Sequence, residues 1–159
     1  LTLHDHTYGI TSDPLTQFAC VFSALIHDVD HQGVPNTQLV EEETDIAALY
    51  KGRSIAEQNS VDLAWALLMR EDYANLRAAI YDDEGEKGRF RQLVVNSVMA
   101  TDIMDKELKN DRNVRWSRAF TEQPEEESPA DVINRKATIV IEHLIQASDV
   151  SHTMQHWHI

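Results

Sequence analysis

One cysteine in 159 residues leaves no partner for an internal disulfide, and Cys20 lies inside an apolar run, as a buried thiol in a reducing, cytoplasmic setting does. Five glycines and four prolines are too few for collagen-like or extended irregular structure. Long apolar runs are missing as well. The longest, residues 18–26 and 137–145, fall well short of the ~20 residues that span a bilayer, and the second contains Glu142 and His143. Basic residues are scarce: 14 Lys and Arg stand against 27 Asp and Glu, a formal net charge of −13. That balance argues against nucleic acid or an anionic membrane as partner. It still admits a phosphate substrate where bound cations reverse the sign locally. No signal-peptide pattern is present.

What remains is the composition of one compact globular domain, 42% hydrophobic and 26% charged. The periodicity is helical almost throughout. Asp13-Pro14 starts a helix, with Leu15, Phe18, Val21, Phe22, Leu25 and Ile26 as its apolar stripe. Gly33 and Pro35 break it, Asn36 is placed to cap a short helix through Glu42, and Gly52 ends another after Tyr50. Ser54-Ile55-Ala56-Glu57 is a capping-box pattern opening a helix to Met69, with Leu63, Leu67 and Leu68 on the buried face. Gly85 and Gly88 mark a turn before a helix from Arg89 to about Thr101. Leu108 to Phe120 is a more polar helix, residues 121–128 an acidic loop, and Pro129 to Val150 a long helix. Val132, Ile133, Ile139, Val140, Leu144 and Ile145 of that last helix are expected in the core. No repeat and no βαβ alternation occurs, so the fold class is all-α, with residues 1–12 a loop or linker and 13–159 a helical core. The chain starts at Leu1 rather than Met, and both ends read as cut from a longer parent.

The chemistry concentrates at His27-Asp28-Val29-Asp30-His31-Gln32-Gly33-Val34-Pro35-Asn36, which sets two imidazoles and two carboxylates at the end of an apolar helix. His27 and Asp28 point about 100° apart on a helix, so one metal takes both only where the helix stops and the backbone bends. Imidazole with carboxylate suits Zn²⁺, Mn²⁺ or Fe²⁺, while carboxylate with water suits Mg²⁺; the two oxygens of Asp28 allow it to bridge two cations. Asp149 ends the long helix and is placed to be aimed at the same pocket. Plainer roles compete. Glu57 is also the capping-box glutamate bonding back to the Ser54 amide. Asp102 is also a cap for the helix beyond Met99. His152, His156 and His158 have no metal-site spacing, and Trp65 and Trp157 are more often core residues than ligand stackers.

Four segments in this order resemble the class I 3′,5′-cyclic nucleotide phosphodiesterases, within the HD-domain metal-dependent phosphohydrolases: the His27–Asn36 string, Glu57 on the next long helix, Ala100-Thr101-Asp102, and Ala147 to Ser151. The resemblance runs from about Leu15 to Trp157. It implies that His27, Asp28 and Asp149 hold a tight Zn²⁺ and that Asp28 also touches a second ion, Mg²⁺ or Mn²⁺. It implies that His31 and Glu57 orient metal-bound water, and that Thr101 and Asp102 support the waters of the second ion. The implied reaction is hydrolysis of cAMP or cGMP to the 5′-monophosphate by a hydroxide activated between two metals. The family's upstream His-Asn-x-x-His segment and its downstream purine-gripping glutamine are not in this sequence. The chain alone is therefore expected to be inactive, its base preference unreadable. Asn59 stands where the family often has histidine. Regulatory domains or dimerisation in the parent are compatible with the resemblance. The alternatives are another HD-type nucleotide phosphohydrolase and a noncatalytic helical regulatory module.

Overall fold

The computed structural model describes residues 13–121 and 128–154. Among these residues there are eight α-helices and no strand: α1 (Pro14–Ile26), α2 (Asn36–Glu41), α3 (Asp45–Leu49), α4 (Ile55–Leu68), α5 (Ala74–Ile80), α6 (Glu84–Met99), α7 (Lys106–Phe120) and α8 (Pro129–Asp149). Short 3₁₀ turns cover Glu71–Tyr73 and Val150–Met154. The expected loop at residues 1–12, the acidic stretch 122–127 and the residues His156, Trp157 and His158 lie outside the described residues, as does the side chain of His152. No helix among the described residues is long and apolar enough to cross a membrane.

Side chains set the helix starts. The Asp13 carboxylate accepts from the Thr16 amide, with Pro14 in the first position, and Ser128 does the same for α8 by accepting from the Asp131 amide ahead of Pro129. Each such cap satisfies an orphan N–H and stabilises its helix by about 1 kcal/mol. Asp83 caps α6 at the Glu86 amide, so Gly85 and Gly88 lie inside that helix rather than in a turn. The cap and the packing of Phe90, Val94 and Val98 outweigh the helix cost of glycine, about 1 kcal/mol each.

The core forms where α1 and α4 meet α6. Phe90 is fully buried, ringed by Phe18, Phe22, Trp65 and Tyr81 at centroid distances of 5.9, 5.6, 6.2 and 6.3 Å. Burying such a ring contributes ~1.5–3 kcal/mol. Trp65 is thus a core residue, with Arg91 stacked 5.5 Å from its ring. A second, smaller core of Leu39, Ala47 and Ile55 joins α2, α3 and the start of α4.

The apolar stripes need correction. On α1 the buried residues are Thr16, Ala19, Ser23 and Ile26, whereas Val21 and Leu25 are 68% and 77% exposed. Small residues on the inward face let α1 lie close to α6, which turns the larger aliphatics outward. On α4, Leu68 is buried but Leu63 and Leu67 are exposed; with Leu25 they line an apolar groove of about 710 Å³. On α8, Ile139, Ile141 and Ile145 face inward, while Ile133 and Leu144 do not.

Candidate active site

Helix α1 stops at Ile26, immediately before the chemistry. The His27 amide still donates to Ser23 O, those of Val29 and His31 close tight turns onto Ile26 O and Asp28 O, and the chain reverses at Asp30 (φ 62°) and Gly33 (φ 76°). Aspartate and glycine tolerate that left-handed region. Helix α4 holds the bend in place: Ser60 Oγ donates to Val29 O at 2.8 Å and Asn59 Nδ2 to Asp30 Oδ2 at 3.1 Å. Asn59 therefore serves as a neutral donor to the bend.

Three of the sequence-predicted residues meet at this point. His27 Nε2 lies 3.3 Å from Asp149 Oδ1, at the last turn of α8, and 3.4 Å from Asp28 Oδ2. His27 Nδ1 donates to Ala24 O at 2.9 Å, which fixes the ring and assigns the remaining lone pair to Nε2. A lone pair facing two carboxylates calls for a proton or a cation between them. Donors about 2.0–2.1 Å from a tetrahedral ion sit ~3.3–3.4 Å apart, and a metal-binding histidine usually donates its other N–H to a carbonyl. Donor chemistry and pairwise spacing thus suit a divalent cation. As the side chains stand, no group of three or more His, Cys, Asp or Glu among the described residues encloses a metal position, and Asp28 is 66% exposed.

Four other sequence-predicted residues gather around a separate cavity of about 190 Å³, lined by His31, Pro35, Asn36, Thr37, Glu57, Thr101, Asp102, Ile103 and Met104. His31 Nδ1 accepts from the Gly33 amide at 3.0 Å, which leaves its ring hydrogen on Nε2, the opposite tautomer to His27. Burial pushes the Glu57 carboxyl above the usual range, against the Asn36 hydrogen bond and one from its own amide; nearby Asp102 raises it further and His31 lowers it. Thr101 is half-buried and its hydroxyl donates to Val98 O. Asp102, 5% exposed, accepts from Ser54 Oγ at 2.7 Å and from the Met104 and Asp105 amides.

Three caps differ from the sequence reading. The capping box does not form: Ser54 adopts a left-handed conformation (φ 38°), makes no side-chain cap and reaches Asp102 instead. Asn36 is the first residue of α2 rather than its cap, and its side chain turns to α4. The N-cap of α7 is Asp105; Asp102 holds the turn leading into it. Sequence reasoning also missed Gln146, whose Nε2 donates to Ala100 O at 2.6 Å and ties α8 to the end of α6. A polar residue three positions before Asp149 was its only signal.

The chain matches a family model described as 3′5′-cyclic nucleotide phosphodiesterase over residues 2–159. It belongs to that family. It is 31% identical over 140 residues to the dual specificity calcium/calmodulin-dependent 3′,5′-cyclic nucleotide phosphodiesterase 1C of Mus musculus, covering 88% of this chain and 18% of that protein. It is 29% identical over 145 residues to the probable 3′,5′-cyclic phosphodiesterase pde-1 of Caenorhabditis elegans, covering 91% and 20%. The crystal structure of the phosphodiesterase domain of the RhoPDE fusion protein from the choanoflagellate Salpingoeca rosetta superimposes with a TM-score of 0.68 at 20% identity, over 86% of this chain and 40% of that one. That likeness is one of fold, and it agrees with the all-helical architecture. The chain spans about a fifth of the length of these curated relatives.

Proposed function

We propose that this phosphodiesterase-family chain carries the metal-binding face of an enzyme that hydrolyses the cyclic phosphodiester of cAMP, cGMP or both. The observation that carries the reading is the meeting of His27 with Asp149, 122 positions apart in sequence, and with Asp28. His27, Asp28 and Asp149 would hold a Zn²⁺, whose preference for imidazole with carboxylate they match. The free oxygen of exposed Asp28 would reach a second, harder ion, Mg²⁺ or Mn²⁺. Such ions, when bound, lower the pKa of water and neutralise phosphate charge.

The protein's own residues supply orientation. Ala24 O fixes the His27 ring, and the Gly33 amide fixes His31 with its Nε2–H free to donate to a phosphate oxygen or a water. Glu57, held by Asn36, offers a carboxylate acceptor to a water in the small cavity, which Asp102 and Thr101 also line. Water then attacks phosphorus in line with the departing 3′ oxygen, and a proton donated to that oxygen completes ring opening. The net charge of −13 disfavours an anionic phosphodiester, and bound cations would reverse the sign locally.

The test measures hydrolysis of cAMP and cGMP by the full protein with and without a chelator, and metal content by elemental analysis in wild type and Asp28→Ala. Chelator-sensitive turnover and loss of bound metal in the variant are expected. Unchanged metal content in Asp28→Ala removes that residue from the ligand set. Turnover of other nucleotide phosphoesters in place of cyclic ones would point to the wider group of HD-type hydrolases.

A further inference from the structure

The side chain of Asn36 spans two elements. Its Nδ2 donates to Glu57 Oε2 at 2.9 Å, and its Oδ1 accepts from the Ala56 amide at 3.0 Å. Only one amide orientation satisfies both partners, since a carboxylate cannot donate and a backbone N–H cannot accept. Helix α4 needs this acceptor, because Ser54, its own cap residue, has turned its hydroxyl to Asp102. The Leu39, Ala47 and Ile55 core clamps α2 against the start of α4, so the Asn36 backbone is held while its amide reaches across.

We propose that Asn36 is the positioning residue for Glu57: its oxygen caps α4 from another helix while its nitrogen fixes the carboxylate in the cavity. The consequence for turnover rests on the hydrolase reading above. Asp102 and His31 are the charged or titratable groups that also act on Glu57, and neither supplies the α4 cap.

Asn36→Asp separates the two tasks. Aspartate keeps an acceptor for the Ala56 amide but loses the donor and sets a second carboxylate against Glu57. In the full protein, Asn36→Asp is expected to retain cooperative unfolding while kcat falls ~10–100-fold, the usual cost of losing a group that orients a metal-site residue, with KM within about twofold. Independently of turnover, ¹³C NMR of the Glu57 carboxyl is expected to titrate at higher pH in the variant, because a stabilising donor is replaced by a like charge. Asn36→Ala should add a loss of thermal stability. A wild-type protein inactive on cyclic nucleotides defeats the hydrolase reading, while the carboxyl titration still tests the positioning. An unfolded Asn36→Asp, an unmoved Glu57 titration, or an unchanged kcat would each overturn the proposal.

Discussion

Replacing Arg115 by leucine should destabilise the protein more than replacing its partner Glu142 by leucine. The two guanidinium nitrogens donate to the two carboxylate oxygens, both at 2.8 Å, across the α7–α8 contact. The pair is lopsided: the Glu142 side chain is 3% exposed and that of Arg115 45%. Without Arg115, a carboxylate remains in the interior with no cation, and breaking a buried pair this way costs ~3–5 kcal/mol. The half-open side of this pair lets water in, so ~2–4 kcal/mol is a better expectation. Without Glu142, the guanidinium swings into solvent and the new leucine gains apolar burial, leaving a net cost of ~1–2 kcal/mol. At ~2–4 °C per kcal/mol for a chain of this size, the melting temperatures should differ by several degrees, with Arg115→Leu lower. Urea unfolding followed by circular dichroism gives the same comparison at constant temperature. Equal stabilities, or the reverse order, would refute the claim that burial of the surviving partner decides the cost.

Three further outcomes can be checked on the same instruments. Burial alone would raise the Asp13 pKa, but hydrogen bonds from Arg89 and Thr16 outweigh it and hold the folded-state value below normal. The cap's stabilisation is therefore complete above the unfolded carboxyl value of ~3.9 and fades as pH falls through the lower folded value. Asp13→Ala should lose about 1 kcal/mol at neutral pH and converge on wild type once the pH has fallen below the folded-state value. Ser54→Ala leaves buried Asp102 short of a donor, at ~1–3 kcal/mol; Ser54→Gly loses the same bond but relieves the left-handed backbone, so its unfolding midpoint should lie above that of the alanine variant. Gly52→Ala should cost more than Gly33→Ala, where both meet the left-handed penalty of ~1–2 kcal/mol, because an added Cβ at Gly52 comes within 3.3 Å of Val40 Cγ2 and one at Gly33 meets nothing within 4 Å.

The helices were legible because their starts are written locally. Asp13 with Pro14 acts within one turn and reads as a cap, which the structure uses; Pro129 marks the start of α8, while its cap, Ser128, reads as part of the preceding loop. Which face of a helix is buried is not local. Leu25 continues the stripe on α1, yet close approach to α6 depends on Ala19 and Ser23 being small, a property of the pair of helices. The glycines of α6 misled for a related reason: tertiary packing overrode their propensity. At the candidate site, the motif named His27 and Asp28, a place at the end of the long helix pointed to Asp149, and the resemblance joined the three into one ligand set. The exchange of caps between Ser54, Asp102 and Asn36 was hidden, since a box-like Ser-x-x-Glu spelling carries no record of a competing acceptor on another helix.

The short stretch from Ala100 to Asp102 is tied to three helices at once: Gln146 of α8 donates to Ala100 O, Ser54 at the start of α4 to the Asp102 carboxylate, and Arg112 of α7 to Asp102 O. Gln146 lies one turn before Asp149, so the turn of α8 that presents that aspartate is pinned to the cavity wall. The fold works there as a mechanical linkage. A tilt or slide of α8, from whatever source, reaches the histidine–aspartate cluster and the glutamate pocket together, and cutting the strut with Gln146→Leu should let amide exchange at residues 100–102 quicken while the core around Phe90 stays protected.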